Sequence, residues 1–275
     1  MTIGLRLIHI VVLAAASCLA GPASAGESSW QQGFHSRVRL ISGGMRDGQR
    51  LAGIEIALDK GFKTYWRTPG EAGLPPRFDW SRSGNAAGFA ILWPAPSRTE
   101  DAGGVAYGYS ERVVLPVLVT PADPEKPVTL EVSLDYGVCK DICIPAQAKM
   151  SLTLPPETEA RNPALERALA AVPRPQPVGS DAPLAVVAVE RRPGEPPSFA
   201  VRVRTPAGAK PVLFAEGPED WYVSTSPVPE GGTFTVSIDE RPKDAPGSVD
   251  LRLTLVADGQ AVESALRLEG DLRRR

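Results

Sequence analysis

The sequence predicts an all-β protein of two β-sandwich domains joined by a proline-rich linker that holds one short helix. Three observations lead there. Gly 26 and Pro 28 make up roughly a fifth of the 275 residues, and helix interiors tolerate both poorly. Apolar residues alternate with polar ones over many short stretches, as in strands with one buried face. Turn-forming pieces separate these stretches at regular intervals with no helical crossover between them, which favours antiparallel sheets packed face to face.

Taken in order, residues 1–25 stand outside the fold. Arg6, an apolar run over 7–16 and Ala23-Ser24-Ala25 read as a secretory signal peptide cleaved before Gly26. A lipoprotein cut before Cys18 is the lesser alternative, since Ala15 stands where a lipobox prefers leucine. The run is short for a bilayer span, and no later run reaches the ~18 apolar residues that a transmembrane helix needs.

A first domain follows over 26–155. Val38 and Leu40 alternate with Arg37 and Arg39, and Ile54, Ile56 and Leu58 alternate with Glu55, Ala57 and Asp59. Further strands are expected over 89–93, 113–119, 128–136 and 148–154. Turns at Ser42-Gly43-Gly44, Pro69-Gly70, Pro75-Pro76 and Ser83-Gly84-Asn85 punctuate them. This spacing resembles an immunoglobulin-like domain.

Residues 156–183 carry Pro156, Pro173, Pro175, Pro177 and Pro183 and read as the linker. Within it Asn162 as N-cap, Pro163 at the first helical position and Leu165 and Leu169 four apart predict a short helix packed on a domain edge. A second immunoglobulin-like domain is expected over 184–275, with strands at 184–189, 199–203, 212–214, 233–238, 249–256 and 262–268. Asp258-Gly259 marks a two-residue hairpin. Trp221-Tyr222 is its most noticeable aromatic pair, expected in packing ahead of partner contact.

The formal charge is −2, and losing Arg6 with the leader would make it −3. A nucleic-acid partner is not expected, because binding phosphates calls for a net basic domain. Beyond the leader the chain keeps one histidine, His35, and two cysteines, Cys139 and Cys143. A His-rich zinc site cannot be assembled, and neither HExxH, GxSxG, GxGxxG nor a P-loop occurs. No cofactor and no metal are expected.

Cys139 and Cys143 sit in a tight bend between two strand-like arms, in Tyr136-Gly137-Val138-Cys139-Lys140-Asp141-Ile142-Cys143-Ile144-Pro145. A structural staple is the common use of such a pair in a secreted domain. Against it, closing five residues contributes only about 2 kcal/mol, where a bridge across a hundred contributes about 4 to 5. A bond that stabilises so little can open without unfolding the domain, as thiol-disulfide exchange requires. Lys140 favours a thiolate on Cys139, pointing to Cys139 as the attacking sulfur, while Asp141 opposes it. Copper handling by the two thiolates, helped by Met150 or Met45, is a third reading.

Three segments carry a family resemblance over roughly 30–155: Gly61-Phe62-Lys63-Thr64-Tyr65-Trp66-Arg67, Tyr109-Ser110-Glu111-Arg112-Val113-Val114-Leu115-Pro116-Val117, and the cysteine segment. Together they resemble the amino-terminal periplasmic domain of DsbD-type thiol:disulfide interchange proteins and the related ScsB proteins. The resemblance implies an immunoglobulin fold whose exchanging cysteines are Cys139 and Cys143, with Phe62 and Tyr65 beside them. It also implies a lid carrying acids, here Glu100 and Asp101. Ala102 stands at the place of the lid aromatic, so shielding would fall to Tyr107 or Tyr109, or be weaker. The implied function is periplasmic passage of electrons from a membrane thiol transporter or thioredoxin-like protein, acting in trans, to periplasmic disulfide-bearing proteins. The rival reading is a non-catalytic binding or assembly module with a structural disulfide.

Overall fold

The computed structural model describes residues 26–71, 73–101, 104–156, 161–243 and 247–269, so the expected leader, Cys18 and Ala102 lie outside the described residues. The first part of the chain forms β1 (Gln31–Gly33), β2 (Ser36–Arg46), β3 (Gln49–Leu58), β4 (Lys63–Gly70), β5 (Arg77–Asp79), β6 (Ala86–Ile91), β7 (Ser97–Asp101), β8 (Gly104–Ser110), β9 (Arg112–Pro121), β10 (Val128–Cys139) and β11 (Cys143–Leu154). After these come α1 (Pro163–Ala170), β12 (Arg174–Pro175), β13 (Ala185–Arg192), β14 (Ser198–Arg204), β15 (Val212–Glu216), β16 (Tyr222–Thr225), β17 (Thr233–Glu240), β18 (Ser248–Ala257) and β19 (Gln260–Glu269). The described chain is all-β apart from α1.

The alternating stretches pair as sheets. One sheet runs β1-β2-β3-β9-β6 and a second runs β11-β10-β4-β8-β7, with β5 on β10. Val38, Leu40, Ile54, Ile56 and Leu115 of the first sheet share a core with Leu130, Val132, Leu134 and Val138 of the second. Past the helix, sheets β12-β19-β18-β15 and β13-β14-β17-β16 share another core, with Leu213, Leu253 and Leu255 against Phe199, Phe234 and Val236. At the β18–β19 turn Asp258 and Gly259 have φ of 48° and 74°, the positive values that a two-residue hairpin requires.

The segment expected to be a linker is packed from Arg161 onward. The Asn162 side chain accepts from the Ala164 N–H, capping α1 as expected. Leu165 and Ala168 bury against Ile41, Leu51 and Val114 on the outer face of the first sheet, not at its edge. A Cβ at Gly53 would lie 2.6 Å from Leu165, so glycine there lets the helix approach. β12 then joins β19 in parallel. The two halves also touch directly, Phe214 packing edge-on against Trp66 and Tyr107 with ring centroids 5.7 and 4.9 Å away.

Candidate functional site

β10 and β11 form a hairpin whose twelve residue pairs run in unbroken register from Val128↔Leu154 to Cys139↔Cys143. The two cysteines close its end as a disulfide, with Cα atoms 4.2 Å apart. Only Lys140, Asp141 and Ile142 intervene, and all three are exposed. The sulfurs differ in access: Cys139 is 1% exposed, whereas Cys143 is half-buried. The approachable sulfur is therefore that of Cys143, opposite to the preference suggested by Lys140.

β4 supplies the rest of the centre. Cys139 pairs with Lys63 across the sheet, so Tyr65, two residues on, shares the cysteine's face. Its buried hydroxyl stands 2.8 Å from Cys139 Sγ and 2.8 Å from Cys143 Sγ. Disulfide sulfurs only accept, so the tyrosine donates. Ala106 completes this buried cluster.

The other expected residues divide. Phe62 lies near Lys140, whose Nζ is 5.9 Å from its ring centre. It stacks on His35 with centroids 4.1 Å apart, and His35 Nδ1 is 2.7 Å from Asp59. Tyr107 and Tyr109 do not shield the sulfurs. Tyr65 pairs with Gly108, so the flanking tyrosines of β8 project from the opposite face. Tyr107 packs on Phe214, and the Tyr109 hydroxyl donates to Pro94 O at 2.8 Å. Burial pushes the Tyr109 phenol well above its usual range. Glu100 is held by Arg98 at 2.9 Å and Asp101 pairs with Gly104, so both acids sit at the outer end of the β7–β8 hairpin.

Copper help from methionine has no geometric support. Met150 is buried in the core, seven residues up β11 from Cys143 and so about 23 Å along the strand. Met45 receives a hydrogen bond from Arg50 at the other end of the first sheet. Among the described residues no cluster of three His, Cys, Asp or Glu side chains stands ready for a metal.

Three neighbours escaped the sequence reading. Leu74 lies against the Tyr65–Gly137 contact, since a Cβ at Gly137 would be 2.9 Å from Leu74 Cβ and 3.1 Å from the tyrosine ring. Phe34 meets Phe62 edge-on at 6.0 Å, and Ile142 is at the hairpin tip. They are 39%, 46% and 72% exposed, so exposed apolar side chains adjoin Phe62, Tyr65 and the cysteine turn. An apolar residue at a hairpin tip was the one available signal.

Beyond Tyr65, β4 bulges away from β8, with Gly70 pairing to Ala106. Arg67 uses the bulge to reach the second half. Its Nε and Nη2 donate to Glu216 at 2.8 and 2.6 Å, and Nη2 also donates to Glu263 at 2.5 Å. Burial works against the guanidinium charge, but hydrogen bonds and charges from both glutamates outweigh it and raise its pKa. Thr68 Oγ1 donates to Glu216 at 2.8 Å. Tyr222 donates to Glu71 at 2.9 Å, and burial, then this carboxylate, raises the phenol's pKa. Trp221 is partly buried on the second core. A cleft of about 620 Å³ lies between the halves, lined by Arg67, Glu71, Pro75, Tyr107, Trp221 and Tyr222.

Comparisons with known proteins bear on this geometry. Residues 37–155 match the family model described as thiol:disulfide interchange protein DsbD, N-terminal. The solved amino-terminal periplasmic domain of ScsB from Proteus mirabilis is similar in fold at 20% identity, with a TM-score of 0.66 over 90% of this chain and 100% of that one. An endo-fucoidan hydrolase of glycoside hydrolase family 107 aligns at 10% identity over 78% of this chain and 34% of its own, with a TM-score of 0.21. A titin immunoglobulin tandem aligns at 10% identity over 87% of this chain and 98% of its own, with a TM-score of 0.18. No curated protein matches the chain. The match over 37–155 contains the disulfide, Phe62, Tyr65 and the whole cysteine hairpin, and this part of the chain is similar to the DsbD amino-terminal domain family.

Proposed function

We propose that this chain is a periplasmic thiol-disulfide exchange protein. It would be delivered by the leader at 1–25 and built as two immunoglobulin-like sandwiches over 26–155 and 184–275, with 156–183 between them. One observation carries the reading: the bond closes a hairpin already held by its strands, and joins a buried cysteine beside a hydroxyl donor to a more accessible one. The family match over 37–155 supports the same chemistry.

To load the protein, a donor thiolate attacks Cys143 Sγ in line with the S–S bond. That bond breaks, a mixed disulfide forms on Cys143, and Cys139 leaves as a thiolate to which Tyr65 donates. The donor's second thiol resolves the mixed disulfide, so two electrons and, after protonation, two protons reach the cysteine pair. To unload, the Cys143 thiolate attacks the acceptor's disulfide and Cys139 displaces the reduced product. The donor in this reading is a membrane thiol transporter or thioredoxin-like protein in trans, and the acceptors are periplasmic disulfide-bearing proteins. Phe34, Leu74 and Ile142 are the exposed apolar side chains on which either partner docks.

Equilibration with glutathione tests the reading. A reduction potential more oxidising than about −300 mV supports exchange, and one well below that value marks a resistant staple and returns the chain to the binding-module alternative. Cys139→Ser should trap a mixed disulfide through Cys143, while Cys143→Ser should trap little.

A further inference from the structure

We propose that the second half of the chain is a positioning element of the redox centre, acting through Arg67, Glu216 and Glu263 to hold the Tyr65 hydroxyl on the sulfurs. The proposal rests on the exchange reading and goes beyond it, because Glu216 and Glu263 lie outside the family match at 37–155.

The connection is short. Tyr65 and Arg67 are separated by Trp66, which is fully buried and packs on Phe214 of the second half. On one side of Trp66 the strand donates to both sulfurs. On the other, Arg67 and Thr68 make four hydrogen bonds to Glu216 and Glu263. The glutamates are themselves fixed, Glu216 facing Arg252 in the β15–β18 register and Glu263 lying 3.5 Å from Arg252 Nε.

Residues 66–69 have no partners on β8, where five steps along β4 match two. The β8 ladder therefore does not fix the backbone of this stretch: Trp66 packs with Tyr107 and Phe214, and the second half anchors Arg67 and Thr68. The return chain is held from both halves, since Glu71 accepts from Val105 N of β8 and from the Tyr222 hydroxyl. Gly73 then sits so close to Tyr65 that a Cβ would fall 2.7 Å from the ring. The tyrosine is thus bracketed by two anchor points, each with a contact to the second half.

The chemical consequence concerns Cys139. A hydroxyl 2.8 Å from its sulfur stabilises the thiolate, lowers the thiol pKa and makes it a better leaving group. Loosening the bulge would let the hydroxyl drift and weaken that bond without touching either cysteine. Arg67 is a positioning residue in this scheme, because it reaches no sulfur.

The test uses the full chain, reduced with dithiothreitol and desalted, with the thiol pKa of Cys139 read from the pH dependence of thiolate absorbance at 240 nm in a Cys143→Ser background, against the same variant with Cys139→Ser as blank. Tyr65→Phe should raise that pKa by about one unit, a tenfold loss of thiolate at fixed pH below it. Arg67→Met should raise it by a similar amount, and Tyr65→Phe with Arg67→Met should go no further than Tyr65→Phe alone. Arg67→Lys should recover only part, because a point charge cannot serve both carboxylates in the same plane. Should Arg67→Met fold poorly, Thr68→Val and Tyr222→Phe probe the same anchors and should shift the pKa in the same direction. An unchanged pKa in folded Arg67→Met, or fully additive shifts in the double variant, would overturn the coupling. The parent's glutathione equilibrium decides the exchange reading separately, so a failure of the coupling and a failure of the carrier role are told apart.

Discussion

Reducing the disulfide should cost little stability. The bond spans a sequence separation of four, and closing a five-residue loop removes about 7 cal/mol/K of chain entropy, or about 2 kcal/mol at 25 °C. Even this is a ceiling, since the twelve registered pairs of β10 and β11 bring the two Cα atoms together without the bond. Reduction also orphans no buried polar group, because the Tyr65 hydroxyl keeps the Cys139 sulfur as partner. A loss of up to about 2 kcal/mol corresponds to a Tm drop of at most about 4–8 °C for a chain of this size. Urea unfolding followed by tryptophan fluorescence, with and without dithiothreitol, measures it at constant pH. A loss beyond about 4 kcal/mol, or a reduced protein without a cooperative transition, would mean that the bond holds the fold together and that easy opening is wrong.

Three further outcomes are expected. In the reduced parent, brief iodoacetamide treatment and mass spectrometry should place label first on Cys143, and equal labelling would contradict the difference in access. Phe214→Ala should cost about 3–5 kcal/mol in urea unfolding and shift the fluorescence of the adjoining Trp66; a change below about 1 kcal/mol would show that the halves hardly rely on this contact. Tyr109, Tyr136 and Tyr222 have pKa values raised above 10.0 in the fold, chiefly by burial. Their contribution to stability is whole below pH 10 and drains away as the unfolded tyrosines ionise above it. Urea unfolding at rising alkaline pH should show that decline, and absorbance at 295 nm should show these phenols silent until unfolding.

Much of the fold was legible because many strands bury one face. Val38, Leu40, Ile54 and Ile56 announce β2 and β3 by alternation, and Asp258-Gly259 announces the last hairpin. β4 was invisible to that test. Thr64, Tyr65 and Trp66 are all buried, one face against the disulfide and the other against Phe214, so no alternation survives. The cysteine pair could be read directly, and the family resemblance brought Tyr65. That Tyr107 and Tyr109 face away from the sulfurs has a simple cause: the face on which a side chain lands depends on the register between β4 and β8, and a one-residue change reverses it. Arg67's partners lie 149 and 196 residues away, and such contacts leave no local trace.

The seat of α1 has a practical consequence. Residues 37–155 match the family model, yet a protein shortened to that span would strip Leu165 and Ala168 from Ile41, Leu51 and Val114, and Phe214 from Trp66 and Tyr107. Two greasy surfaces would then meet water on one small fragment, inviting self-association. Ending the fragment after Val172 would keep the first surface covered but leave the second bare. The smallest well-behaved unit of this protein is therefore larger than the stretch that the family model matches.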